Sequence, residues 1–424
     1  MKQRRKLSTV EHILDGNITC FVRLEGSFSA DQLRSALLRV QRKHPALRAL
    51  IREASDGLYY ETDSAPEIPL RIVPRVSEDD YQRECYTERM TDFAYDEPQL
   101  RAVWLRSGSE NDLLFTTSHR ICDGMSIMII VREVLQSLHS DEEPIPYEQV
   151  TVQDIIGDYQ PPQMWKRKLA VFVINGLVRM VPNSRRVPND DEHHLEWRAD
   201  RVMSDALRQR CKAEDVSVHA ALVVALDRAL FAVFGEKMLP KWIDNQIDPR
   251  RRGVGALKSD MLFLGGGSFK VRTGQGLDVE FWERARAISK DIRELIEQQT
   301  LDIPSRFHFF EMLRPPTSGQ LQSIIRISEA LERNRKVSFP LSNLGNVVVS
   351  GSDAPFRLKD LRLYVHSFKS QVLGLITYTI NGEMRFYCIN SEKCMSRWQA
   401  VALEREFMAV LQHHAPALRR AVAG

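Results

Sequence analysis

His119, Arg120, Ile121, Cys122, Asp123 and Gly124 follow one another between an apolar stretch, Leu113–Thr117, and a second apolar run beyond Met125. An imidazole at a strand end can project into a cleft, and its titration near neutral pH suits a general base. Asp123 falls where the chain must turn, and Gly124 tolerates φ angles that other residues resist. A charged Asp123 can hold such a turn by pairing with a cation. The same residues also fit a plain Asp-Gly turn capping the next helix, with a solvated histidine beside it. The six-residue pattern alone does not separate the two. Cys122 adjoins the histidine, but spacing supplies no base–nucleophile geometry, so a variable loop position is expected rather than a covalent nucleophile.

Other clusters carry less. Asp190, Asp191, Glu192, His193 and His194 have no partner group at ligand spacing, so a polar linker is expected and no metal site. His413 and His414 read as a favourable contact with a helix C-terminal dipole. Gly265, Gly266 and Gly267 lack the lysine and spacing of a phosphate loop, which leaves a strand bulge or a close backbone approach. The six cysteines, Cys20, Cys85, Cys122, Cys211, Cys388 and Cys394, include no Cys-x-x-Cys pair, and reduced thiols in a cytoplasmic protein are expected.

The elements that must position His119 can be read from periodicity. Ile18, Cys20, Val22 and Leu24 alternate as a strand ending at Gly26. Ser29 and Gln32 fit a capping box for a helix carrying Leu33, Leu37 and Val40. Strand signals lie at Leu58–Glu61 and Leu70–Val73, with a polar helix near Glu78–Met90. Arg101–Leu105 and Leu113–Thr117 read as a hairpin that delivers the chain to His119. Ile127, Ile130, Val131, Val134 and Leu138 then mark one apolar helix face. Further on come helices at Val202–Cys211, from Ser217 through Phe234, and at Phe281–Ile296. Strands are expected at Lys241–Ile247, Met261–Leu264, Ser268–Arg272, Val337–Phe339 and Asn346–Val349. Asn381-Gly382 joins Leu375–Ile380 to Glu383–Ile389 as a hairpin, and a helix near Trp398–Leu411 follows. Sheet and amphipathic helix recur in both halves, which predicts two stacked α/β (α+β type) lobes.

The 424 residues hold 43% hydrophobic and 27% charged residues, a globular balance that excludes disordered, collagen-like and disulfide-stapled chains. With 59 Lys and Arg against 56 Asp and Glu, the net charge of +3 makes no case for nucleic acid. The basic N-terminus lacks a signal peptide's apolar run, and no uncharged apolar segment of membrane-spanning length is evident. Residues 159–189 differ from the rest. They hold Pro161, Pro162, Pro182 and Pro188 and six basic residues, Lys166, Arg167, Lys168, Arg179, Arg185 and Arg186, without an acid. The expected division is therefore 1–158 for the first lobe, 159–194 for a linker and 195–424 for the second lobe. The apolar run Leu169–Val178 is expected to form a short helix packed on the protein's own core. A peripheral membrane contact through 165–186, or a seat for an acidic carrier protein, is the rival arrangement.

The histidine segment resembles the His-x-x-x-Asp-Gly signature of the coenzyme-A-dependent acyltransferase superfamily. That group includes chloramphenicol acetyltransferase, peptide-synthetase condensation domains, BAHD acyltransferases, wax ester synthases and phthiocerol dimycocerosyl transferases. Lys6–Glu11 is similar to their opening, and Ala36–Arg48 to their first helix and its exit. Ile247–Arg250 resembles a second-lobe strand ending in Asp-x-Arg, and Ser342–Gly345 the Ser-Asn-x-Gly element of the alcohol acyltransferases. There are two departures. Ser118 stands where condensation domains usually carry a second histidine, and no plant-type Asp-Phe-Gly-Trp-Gly element is present. The first leans away from a peptide-synthetase module and toward stand-alone O-acyltransferases, and the second argues against BAHD membership proper.

The resemblance implies two chloramphenicol-acetyltransferase-like lobes with an active-site channel between them. It implies transfer of an acyl group from a thioester to a hydroxyl, or alternatively an amine, with His119 as general base and no acyl-enzyme. Asp123 would be structural, paired with Arg250 (Arg251 second), and Gly124 would lie in the oxyanion region, with Asn343 as a further oxyanion or acceptor contact. Neither cofactor nor metal is expected, coenzyme A or phosphopantetheine arriving as the substrate thioester. The expected partners are acyl-CoA or an acyl carrier protein. A cytoplasmic, membrane-associated location fits that chemistry, and a catalytically silent carrier- or lipid-binding homologue is the competing class.

Overall fold

The computed structural model describes residues 4–13, 16–55, 57–108, 110–140, 142–184, 192–331, 338–348, 356–366 and 373–416. Arg185, Arg186, Asp190 and Asp191 lie outside these residues, as do Val337 and Val349 and the side chain of Arg251. The first half contributes strands β1 (Arg4–Lys6), β2 (Asn17–Glu25), β3 (Leu50–Ala54), β4 (Gly57–Glu61), β5 (Leu70–Pro74), β6 (Leu100–Ser107) and β7 (Glu110–Ser118). The second contributes β8 (Glu192–Ala199), β9 (Trp242–Ile247), β10 (Gly267–Arg272), β11 (Ser338–Asn346), β12 (Arg357–His366), β13 (Leu373–Ile380) and β14 (Glu383–Ser391).

Two main sheets result. One has the order β12-β2-β7-β6-β5, with β1-β4-β3 as a small satellite, and the other runs β10-β9-β11-β13-β14-β8. The hairpin of β6 and β7 forms as expected, pairing Leu100 with Thr117 through Ser107 with Glu110. Asn381 and Gly382 both take positive φ, 50° and 84°, which is what a two-residue turn joining twisted strands requires. Ser29 and Gln32 close their capping box on the helix Ala30–Lys43.

β2 is buried along nearly its whole length because strands cover both of its edges, β7 on one side and β12 on the other. Against this sheet lies the helix Gly124–Ser137. Met128 and Ile129 are buried along with the expected apolar face, so the helix is enclosed almost all round. In the second lobe that central place belongs to the helix Val218–Met238. It is long and apolar enough to cross a membrane by length and composition, yet Ala220–Leu226 is buried in the lobe's own core.

Four expectations change. β12 comes from the second half of the chain but completes the first sheet, Arg357 pairing with Glu25 and His366 with Asn17. Residues 1–158 alone therefore do not build the first lobe's sheet. Glu192–His194 are not linker but the start of β8, paired with Ile389–Ser391, and Glu192 is buried against His194 and His366 at 3.0 Å each. Met261–Leu264 is not a strand, because its backbone polar groups are engaged by Arg250 and Ser126 instead of a neighbouring strand. Gly266 shows why that segment is glycine-rich: a Cβ there would lie 2.4 Å from the Ile247 carbonyl oxygen. His414 stacks on Phe281 with ring centroids 4.2 Å apart, and burial drops its pKa to about 4, so it brings no positive charge to the helix end.

The lobes meet along a buried seam. Tyr364 of β12 and Tyr387 of β14 pack edge to face at 5.5 Å, with Phe21, Tyr81 and Ile389 around them. Lys43 and Tyr147 both reach Asp260 across the same divide, at 2.8 and 2.7 Å.

Candidate active site

β7 carries the chain to Ser118, and the turn from His119 to Asp123 leads into the helix Gly124–Ser137. The backbone N–H of His119 donates to the Gly16 carbonyl at 2.8 Å, tying the turn to the start of β2. The imidazole is half-buried, and its Nδ1 lies 2.8 Å from the Cys122 carbonyl oxygen. A carbonyl only accepts, so Nδ1 carries the proton and the neutral ring keeps its lone pair on Nε2. The loop thereby selects the tautomer a base needs.

Cys122 is fully buried, and burial pushes its thiol far above the usual range, so it remains a protonated thiol. Its Sγ lies 3.3 Å from the Thr117 hydroxyl. It packs in the core of the first lobe, where a variable loop position was expected. Ser118 is buried as well, and its hydroxyl accepts from the Arg120 N–H at 3.3 Å.

Asp123 fulfils both readings of its motif at once. With φ −108° and ψ −175° it is the N-cap, its Oδ1 accepting from the Ser126 N–H at 2.8 Å. Both of its oxygens also receive the guanidinium of Arg250: Nη1 donates to Oδ2 and Nη2 to Oδ1, each at 2.9 Å. The Arg250 side chain is completely buried, whereas Asp123 keeps 25% exposure. Arg250 further donates to Asp248 at 2.9 Å, to the Met261 and Phe263 carbonyls at 2.7 and 2.9 Å, and to Ser126 Oγ at 2.7 Å. Burial alone would lower its pKa, but the charges of and bonds to Asp123 and Asp248 overcome this and hold it cationic. Ser126 was missed in the sequence, and Asp248 was noted as the Asp of Asp-x-Arg without its role. Each lies two or three residues from its partner, the spacing of local caps, and that was the available signal.

Gly124 differs from expectation. Its φ is not positive, and a Cβ there would come to 3.4 Å from Leu344 Cδ2, an ordinary van der Waals contact that leaves little room for anything larger. Leu344 belongs to β11, so the second lobe closes directly onto the first turn of the helix. The neighbouring Asn343 sits where the register of β11 shifts. Its Oδ1 accepts from the Gly345 N–H at 2.9 Å, and its Nδ2 lies 3.4 Å from His219 Nδ1. Burial lowers the His219 pKa to about 4, so that ring is neutral. Met125, His219, Asn343, Leu344, Arg252 and Arg293 line a cleft of about 580 Å³ on this side. Among the described residues no group of three or more His, Cys, Asp or Glu side chains could hold a metal ion.

A family model for the condensation domain matches residues 11–238, more than half of the chain. This chain belongs to the condensation-domain family. Members of that family transfer acyl or peptidyl groups, and this chain spans only 2% and 5% of the length of the curated relatives it matches. Among curated proteins it is similar to the cyclosporin synthetase of Tolypocladium inflatum, 28% identical over 230 residues. That match spans 50% of this chain and 2% of the synthetase. The trichothecene 15-O-acetyltransferase from Fusarium sporotrichioides has a similar structure, with a TM-score of 0.69 at 11% identity over 98% of this chain and 96% of that one. So has the first condensation domain of the CDA synthetase, at 0.67 and 13% over 98% and 97%. At such identities the likeness shows the fold, two condensation-type lobes.

Proposed function

We propose that this condensation-domain protein is an acyltransferase that carries an acyl group from a thioester, on coenzyme A or an acyl carrier protein, to an acceptor hydroxyl. The observation behind this reading is the His119 tautomer, fixed by the Cys122 carbonyl. Nε2 takes the hydroxyl proton as oxygen attacks the thioester carbonyl. The tetrahedral adduct collapses, the C–S bond breaks, and the imidazolium returns the proton to the departing thiolate. No acyl-enzyme is needed, and the buried Cys122 thiol suits that economy. The oxyanion is assigned to N–H groups at the Gly124 end of the helix, where the partial positive charge gathers, with Asn343 Nδ2 as a further donor. Arg250 positions the turn through Asp123 and does not touch substrate.

The test is thiol release from a panel of acyl thioesters by wild type and His119→Ala. Loss of about 10²–10⁴-fold with an unchanged melting temperature is expected. Near-normal turnover by the variant would remove His119 from the mechanism, and silence of the wild type toward every donor would favour a non-catalytic carrier-binding role. An amine acceptor is the second reading, favoured by the similarity to peptide and cyclodepsipeptide synthetases. Mass spectrometry of the product distinguishes ester from amide.

A further inference from the structure

Among the described residues, the helix Met164–Met180 has little of its surface covered. Of its 17 residues only Val171 is buried. Trp165, Leu169, Phe172, Val173, Leu177 and Met180 are between 50% and 76% exposed. At 100° per residue these six fall within one arc of about 140°, a continuous apolar strip roughly 25 Å long. Lys168 and Arg179 lie along one border of the strip and Lys166 within it towards the other, all three exposed. No acidic residue occurs anywhere in 159–189. The expectation that this helix packs on the core is thus reversed, since its apolar side faces outward.

The helix is nonetheless firmly mounted. Arg167, on the opposite side, donates to the Ser305 carbonyl and hydroxyl at 2.9 Å each. Asn175 accepts from the Arg314 N–H at 2.8 Å, and Gln320 Nε2 donates to the Val178 carbonyl at 3.0 Å. The supporting helix Ile303–Met312 also sends Phe307 against Phe263, whose carbonyl holds Arg250.

From this arrangement we propose that the helix Met164–Met180 is a fixed docking face for an anionic lipid bilayer. The apolar strip inserts at the level of the headgroups, and Lys166, Lys168 and Arg179 extend to lipid phosphates. Charge decides among the occupants. A second copy docked by two-fold symmetry would bring these cations against each other. An acidic protein would match the cations, but a bilayer best covers a strip of this length while also taking the cations at its border and within it.

The proposal is independent of the transfer chemistry and is tested by binding alone. Full-length protein is sedimented with vesicles of phosphatidylcholine, and with vesicles of equal parts phosphatidylcholine and phosphatidylglycerol. Strong binding to the anionic vesicles only is expected, with a blue shift of emission that disappears in Trp165→Phe. The triple variant Lys166→Glu/Lys168→Glu/Arg179→Glu should bind on the order of 100-fold more weakly or worse. Phe172→Ser with Leu177→Ser should lose the blue shift while melting as wild type does, because all five positions are exposed. His119→Ala should bind like wild type, so a failed catalytic assignment leaves this result standing. Absence of binding to either vesicle, or equal binding by the charge-reversed variant, overturns the proposal. So does self-association that Phe172→Ser abolishes, since that would name a second copy as the occupant.

Discussion

Replacing Arg250 by methionine removes all five N–H donors of a fully buried guanidinium that clamps Asp123, Asp248, Ser126 and two carbonyls. Breaking a buried ion pair by deleting one partner costs about 3–5 kcal/mol. Asp123 retains some water contact, which places the expected loss near the lower end, about 3 kcal/mol. At roughly 2–4 °C per kcal/mol for a unit of lobe size, the melting temperature should fall by about 6–12 °C. Asp123→Asn keeps an N-cap acceptor and should cost less, about 1–3 kcal/mol. Arg250→Lys should recover little, because an ammonium cannot reproduce the two-pronged contact with Asp123. The assay is thermal melting of the three single variants and the Arg250→Met/Asp123→Asn double variant. The double should be less destabilised than the sum of its parts by about 1–3 kcal/mol. An Arg250→Met variant melting within 2 °C of wild type, or strict additivity in the cycle, would refute the account of this ion pair as the clamp on the histidine turn.

Other expectations rest on separate features. Glu192 is buried, which alone would raise its pKa, but bonds and charges from His194 and His366 bring it down to about 2. A depressed carboxylate stabilises above its unfolded pKa of about 4.3, and that stability drains as pH falls toward 2. Denaturant titrations between pH 5 and 2 should show a loss of up to about 3 kcal/mol that Glu192→Gln flattens; equal slopes in both proteins would contradict it. Gly124→Ala should be tolerated with a small shift of Leu344, whereas Gly124→Val should cost about 1–3 kcal/mol by overpacking, as read by melting. Cys122→Ala should leave initial-rate patterns sequential, and native protein should resist thiol alkylation at this position; ping-pong kinetics abolished by the substitution would make Cys122 a nucleophile after all.

Much of the fold was legible because local chemistry acts locally. The hairpin at Asn381-Gly382, the box at Ser29 and Gln32, and the helix from Ser217 each rest on interactions spanning a few residues, and each formed. The pairing of Asp123 with Arg250 was legible only through family resemblance, since no spacing links two residues so distant in sequence. Periodicity failed where long-range partners decided the outcome. Met261–Leu264 has a strand's composition but gives its carbonyls to a guanidinium. Glu192–His194 looks like polar linker because the buried His366 and Tyr387 that make those side chains acceptable inside are contributed from far along the chain. The outward face of Met164–Met180 was illegible for the converse reason: an apolar run does not state which side its neighbours leave uncovered.

The return of β12 to the edge of β2 has a consequence in time. During synthesis Glu25 has no partner at that edge until Arg357 emerges, roughly 20–60 s later at ordinary elongation rates. For that interval the first sheet exposes a long apolar edge able to pair with any passing strand. Acquisition of β12 therefore completes the first sheet only after most of the second lobe has been made, and it ties the two lobes together through a shared stretch of chain. Chains released before it should be recovered with chaperones or in aggregates, not as a soluble first lobe.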